Sequence, residues 1–221
     1  MKNPKAMVRN TPILFPQRKQ QADATRERLV ELAWKQVRRE GIQDFKILTL
    51  AKKAGVASGL PYVYFDSREK FLDELRIRAW DELEKAVDEK VLPRPPLKTT
   101  ADYENNYRKV IHAIADYAAK EPRLVQLVLL TPGVEQSPAV LERSVRASQK
   151  FMGPLLEGIR EGALEARGDP LVFALALWTA VQGHIQRSTA QAAPMFKKIQ
   201  SQVLDEILEI FFSYIRPRRK P

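Results

Sequence analysis

I-L-T-L-A-K-K-A-G-V-A-S-G-L-P-Y-V-Y-F-D-S-R-E-K, residues 47–70, is the stretch whose pattern decides the architecture. Ile47, Leu50, Ala51 and Ala54 recur at i, i+3, i+4 and i+7, which puts them on one face of a short helix. Gly55 falls where that helix must stop, since glycine takes the left-handed conformation without a Cβ clash. A second short helix is expected from about Ser58 to Phe65, and Asp66 or Ser67 can cap a third. Two helices joined by a short glycine turn form a helix-turn-helix, whose second member can lie in a DNA major groove.

Composition narrows the setting. The 221 residues are 44% apolar and 29% charged, enough for a real core under a soluble surface, and the chain has no cysteine. Disulfides, thiolate metal sites and cysteine nucleophiles are thereby excluded. The longest apolar stretch, Leu171 to Val181, is too short to span a bilayer, which takes roughly 20 residues. No signal peptide is visible, because the run Ile13-Leu14-Phe15 closes at Pro16. A soluble, cytoplasmic protein without membrane partners is expected. The net charge of +10 is uneven. Residues 1–80 carry 17 Lys+Arg against 9 Asp+Glu, whereas residues 81–221 carry 20 against 18. A polyanion partner for the N-terminal third follows naturally.

Outward from the hairpin, residues 1–22 hold five basic side chains, no acid and three prolines, and are expected to form a flexible basic arm. A helix is expected from Thr25, as N-cap, to Glu40, with Leu29, Ala33, Val37 and Trp34 buttressing the hairpin and Gly41 as its stop. A long helix from Arg68 to Val91 carries an apolar stripe of Phe71, Leu72, Leu75, Ala79, Leu83 and Val87, and Pro93-Arg94-Pro95-Pro96 ends it. Beyond it, Pro122, Pro138, Pro170 and Pro194 sit where first-turn prolines are tolerated, implying helices over 102–119, 122–130, 138–166, 169–191 and 194–215. No strand pattern is present. The fold class is all-α, with about nine helices. The organisation is an arm (1–22), a helix-turn-helix DNA-binding domain (23–70), an effector-binding and dimerisation domain (71–216) and a basic tail (217–221). In the last helix Phe196, Ile199, Val203, Ile207, Ile210 and Tyr214 form a seam suited to helix packing. With the apolar run from Leu171 and a close backbone approach at Gly183, it reads as a homodimer interface, the alternative being intrachain core.

The run Gly41 to Leu72 resembles the DNA-binding domain of tetracycline-repressor (TetR) family transcriptional regulators. Leu50, Ala51, Ala54, Gly55, Val56, Gly59, Tyr62, Phe65, Ser67, Glu69 and Leu72 agree with the family pattern by residue or type. The resemblance covers about residues 25–75; the remainder is similar only in helix number, lengths and the apolar final pair. It implies a homodimer in which three N-terminal helices bind a pseudo-palindromic operator and the C-terminal helices enclose a small-molecule effector that releases it. Carried over by position, Tyr62, Arg68 and Lys46 would contact phosphates, while Ser58, Gly59, Leu60, Val63 and Tyr64 would face the groove. Phe45, Ala57 and Tyr64 replace what are commonly Thr, Ser and His, and Pro61 stands where Leu is usual. No Arg, Lys, Asn or Gln lies between Ser58 and Tyr64, so bidentate base readout from there is excluded. Phosphate contacts must then carry much of the affinity, and binding should fall steeply with salt.

Enzyme chemistry finds little support. His112 and His184 are the only histidines, without a companion motif for metal or catalysis, and no phosphate-cradling or dinucleotide fingerprint is present. No cofactor is expected. The competing function is a constitutive all-α DNA-binding or architectural protein without an effector. Tyr107, Phe151, Trp178 and Gln182 are the candidate pocket residues, suiting a small, largely apolar effector. Effector binding is expected to shift the long helix from Arg68 and thereby the spacing of the two recognition helices.

Overall fold

In the computed structural model of the chain, the described residues are 14–43, 45–129, 137–189 and 194–217. They form nine helices and no strand. Helix α1 (Leu14–Glu40) begins eleven residues before the expected Thr25. Pro16 lies in its first turn, where a missing amide proton leaves no helical bond unmade, so the prolines did not bar a helix there. Thr25 is accordingly no cap: it sits inside α1, and its hydroxyl donates to the Gln21 carbonyl at 2.8 Å. The expected boundary between arm and domain, at residues 22 and 23, falls within this helix. Residues 1–13 and 218–221, most of the expected arm and tail, lie outside the described set.

Helices α2 (Ile47–Ala54) and α3 (Leu60–Phe65) make the hairpin. Gly55 closes α2 at φ +67°, and the amide of Val56 returns to the Ala51 carbonyl at 3.1 Å. The second helix starts at Leu60 rather than Ser58, because Ser58 and Gly59 form the turn that leads into it. Pro61 is in its first turn. Helix α3 ends at Asp66, whose φ of +57° lies in the left-handed region. Helix α4 (Arg68–Val91) then starts with the Ser67 hydroxyl accepting from the Lys70 amide at 3.1 Å. Beneath the hairpin, Phe65 and Phe45 pack on Phe71 with ring centroids 4.1 and 5.6 Å away, against Leu29, Ala33 and Val37 of α1.

Helices α5 (Thr100–Lys120), α6 (Pro122–Val128), α7 (Pro138–Arg160), α8 (Pro170–Thr189) and α9 (Pro194–Ile215) make the body. α5 starts two residues early because Thr99 and Asp102 form a capping box. α7 stops at Arg160, six residues short of expectation: Gly162 turns the chain at φ +76°, and the amide of Leu164 bonds back to the Gly158 carbonyl at 2.9 Å. α8 covers the described part of the expected 169–191, residues 190–193 being outside the described set.

The first half of α4 packs with α1 and α3, and its distal half with α5, α6 and α7. One rod therefore runs from the hairpin into the body. Arg38 of α1 grips Glu121, at the start of α6, by two hydrogen bonds of 2.9 and 2.7 Å. Arg78 of α4 pairs with Glu31 of α1 at 2.6 Å, and Arg26 of α1 pairs with Glu74 of α4. On the far side, Arg143 of α7 reaches Asp81 and Glu84 of α4 at 2.7 and 2.6 Å, and Lys150 reaches Glu84 and Asp88 at 2.7 and 2.6 Å.

Candidate nucleic-acid interface and ligand pocket

Burial sorts the hairpin into two sides. Ile47, Leu50, Ala51, Ala54, Pro61 and Phe65 are buried. Lys46, Ser58, Gly59, Tyr62 and Val63 are exposed, with Val63 at 73%. Leu60, Tyr64 and Arg68 are half-buried. Tyr64 lies edge-on to Phe65 at 6.4 Å and packs on the core, so less of it faces outward than of Tyr62 or Val63. One Arg68 guanidinium nitrogen is 3.5 Å from the Phe45 carbonyl and another 3.8 Å from Glu69, which steadies the arginine beside Lys46. Lys52 and Lys53 on α2 are also exposed and were missed among the candidates. Their signal was available: they occupy the polar face opposite Leu50 and Ala54. The outward face thus combines cations with small and apolar side chains and offers no bidentate donor for a base edge.

A cavity of about 180 Å³ opens between α7 and α8, lined by Phe151, Met152, Leu156, Leu171, Ala174, Leu175 and Trp178, with Ser148 and Gln149 at its edge. Two of the four expected pocket residues, Phe151 and Trp178, line it. Tyr107 does not: it is wholly buried one layer behind, its hydroxyl 3.0 Å from the Met152 sulfur. Burial raises its phenol pKa, so it stays a neutral donor. Gln182 is also absent from the lining, its amide 3.3 Å from the Leu129 carbonyl. Met152, Leu156, Leu171 and Leu175 carried no signal that separates a pocket wall from ordinary core.

The histidines do not build a metal or catalytic centre. His112 pairs with Asp205 at 2.8 Å, and His184 is buried, which lowers its pKa, with the nearby His112 adding to the effect. Among the described residues no group of three or more His, Asp or Glu is placed to hold a metal ion.

On the last two helices, two stripes separate. Leu204, Leu208, Phe212 and Ile215 of α9 are buried in the chain's own core. Ile199, Ile210 and Tyr214 of the expected seam are exposed, and Val203 and Ile207 half-buried; the side chain of Phe196 lies outside the described set. On α8, Leu171, Val172 and Leu175 are more than half exposed. Gly183 is exposed, and a Cβ there would meet nothing within 4 Å, so the expected close approach does not occur within this chain.

The all-helical course has counterparts among solved structures. A TetR family transcription regulator from Marinobacter aquaeolei VT8 superimposes with a TM-score of 0.59 at 14% identity, covering 90% of this chain and 100% of that one. This is the TetR-family fold. FadR of Bacillus subtilis, solved in complex with stearoyl-CoA, shares the fold with a TM-score of 0.61 at 17% identity over 86% of this chain and 99% of its own. In sequence, the HTH-type transcriptional regulator SrpR of Pseudomonas putida is 25% identical over 149 residues, 66% of this chain and 64% of SrpR. The match thus spans just under two thirds of that relative's length. No family model matches the sequence. No helix among the described residues is long and apolar enough to cross a membrane.

Proposed function

We propose that this chain, with its TetR-family fold, is a transcriptional regulator that binds duplex DNA as a homodimer and is released from a pseudo-palindromic operator by a small, largely apolar effector. In this reading residues 23–70 are the DNA-binding domain and residues 71–216 bind the effector and form the dimer. The observation that carries it is the outward face of the α2–α3 hairpin. Lys46, Ser58, Gly59, Tyr62 and Val63 stand exposed together on a hairpin whose other side is packed into the core. The basic N-terminal third and the helix-turn-helix relative SrpR support DNA as the partner.

The cavity between α7 and α8 favours an effector over constitutive binding, and the stearoyl-CoA held by FadR supports ligand response on this fold. The exposed stripe on α8 and α9 suits a two-fold helical interface, which would set two recognition helices about one DNA turn apart or a multiple of it. Selection of bound sequences from a random duplex pool tests the DNA reading, with anisotropy on the winners and a release screen of small apolar compounds. Enrichment of inverted-repeat sites supports it; recovery of no preferred sequence overturns it.

A further inference from the structure

The ligand cavity does not end at its apolar walls. Gln149 and Leu156 line it and also line an open groove shared by Arg94, Lys150, Glu157 and Arg160. An apolar chamber therefore continues directly into a charged mouth. Lys150 is already answered by Glu84 and Asp88. Arg160 faces Glu157 and Glu161 only at 3.8 and 3.6 Å. Arg94 has no ion-pair partner among the described residues. Counting Arg94 and Arg160 against Glu157 leaves about one unanswered positive charge, the charge a single carboxylate matches.

We infer that the effector is an amphipathic monocarboxylate, with a single aromatic ring or short alkyl body in the α7–α8 cavity and its carboxylate between Arg94 and Arg160. This deepens the effector reading above and rests on it. The cavity volume of about 180 Å³ sets the size of the body. A dry apolar cavity of roughly 150 Å³ holds one benzene. Trp178 and Phe151 offer ring faces and edges to such a group. A net excess near one charge disfavours a doubly charged phosphate monoester, whose second charge would lie unmatched beside Glu157. Arg94 lies three residues beyond the end of α4, so a carboxylate held there ties the ligand to the far end of the rod that begins at the hairpin.

The test is calorimetric titration of the full chain with phenylacetate, 3-phenylpropionate and hexanoate, each beside its neutral amide, and with benzyl phosphate. At least one acid should bind about tenfold or more tighter than its amide, as a charge-assisted contact requires. In the R94Q/R160Q double variant the acid should fall to the level of the amide while amide binding stays unchanged. Ala174→Phe, which fills the chamber, should abolish both. Equal binding of acid and amide, an acid preference that survives R94Q/R160Q, or tighter binding of benzyl phosphate would each overturn the monocarboxylate assignment. If amides bind and Ala174→Phe removes them, the cavity reading survives that failure. Failure of the whole panel to bind overturns both, and operator binding, measured separately, is untouched by any of these results.

Discussion

Ile210 and Leu208 are two residues apart on α9 and should respond in opposite ways to the same substitution. Leu208 is 0% exposed, whereas Ile210 is 65% exposed within a single chain. Burying a whole isoleucine side chain is worth about 1.5–3 kcal/mol, so covering its exposed two thirds contributes about 1–2 kcal/mol. In a two-fold interface the residue is buried once from each copy. Ile210→Glu therefore forfeits about 2–4 kcal/mol of association before any charge desolvation, which raises the dimer Kd by about 30- to 700-fold. The monomer fold, by contrast, has little to lose at this position. Leu208→Glu puts a carboxylate into the chain's own core, at a penalty of several kcal/mol, and should unfold the domain. Sedimentation equilibrium across a concentration series measures the first effect, and thermal melts followed by circular dichroism measure the second. Operator affinity of the Ile210→Glu variant should fall with dimerisation, because one hairpin then meets one half-site. An unchanged dimer Kd, or a melt of Ile210→Glu as poor as that of Leu208→Glu, would refute the division of α9 into an inner and an outer stripe.

Other consequences can be measured separately. Operator binding should weaken steeply with salt, and Lys46→Ala should reduce the slope of log K against log salt by about one; a slope that does not change removes Lys46 from the phosphate contacts. Burial would raise the Glu84 carboxyl, but hydrogen bonds from Lys150 and Arg143 outweigh it and hold its pKa below the usual carboxylate range. A carboxyl depressed in the folded state stabilises above its unfolded pKa and loses that contribution as pH falls through the folded one. Glu84→Gln should accordingly destabilise by about 1–3 kcal/mol at pH 7. Urea titrations should find the gap from wild type closing below a pH of about 4.3, and a gap independent of pH would contradict the network. A Cβ at Gly158 would stand 2.9 Å from the Tyr103 ring and 3.0 Å from Leu164. Gly158→Ala should lower stability by about 1–3 kcal/mol in chemical denaturation, and a neutral result would mean that the ring can move aside.

Local chemistry accounts for what the sequence by itself determined. Gly55 had to end α2 and Ser67 had to start α4, because a left-handed turn and a hydroxyl cap depend on residues a few positions apart. The long stripe of α4 and the split of charge near residue 80 were legible for the same reason. Where the local signal was ambiguous, the tertiary structure decided. Pro16 could stop a helix or open one, and it opens α1. The seam of α9 could face inward or outward, and packing against α8 turned Leu204, Leu208 and Phe212 inward, leaving Ile199, Ile210 and Tyr214 uncovered. The cavity was beyond local reading altogether. Its walls come from two helices whose separation no short window of sequence encodes, so Phe151 and Trp178 line it while Tyr107, equally aromatic and apolar in setting, lies one layer behind.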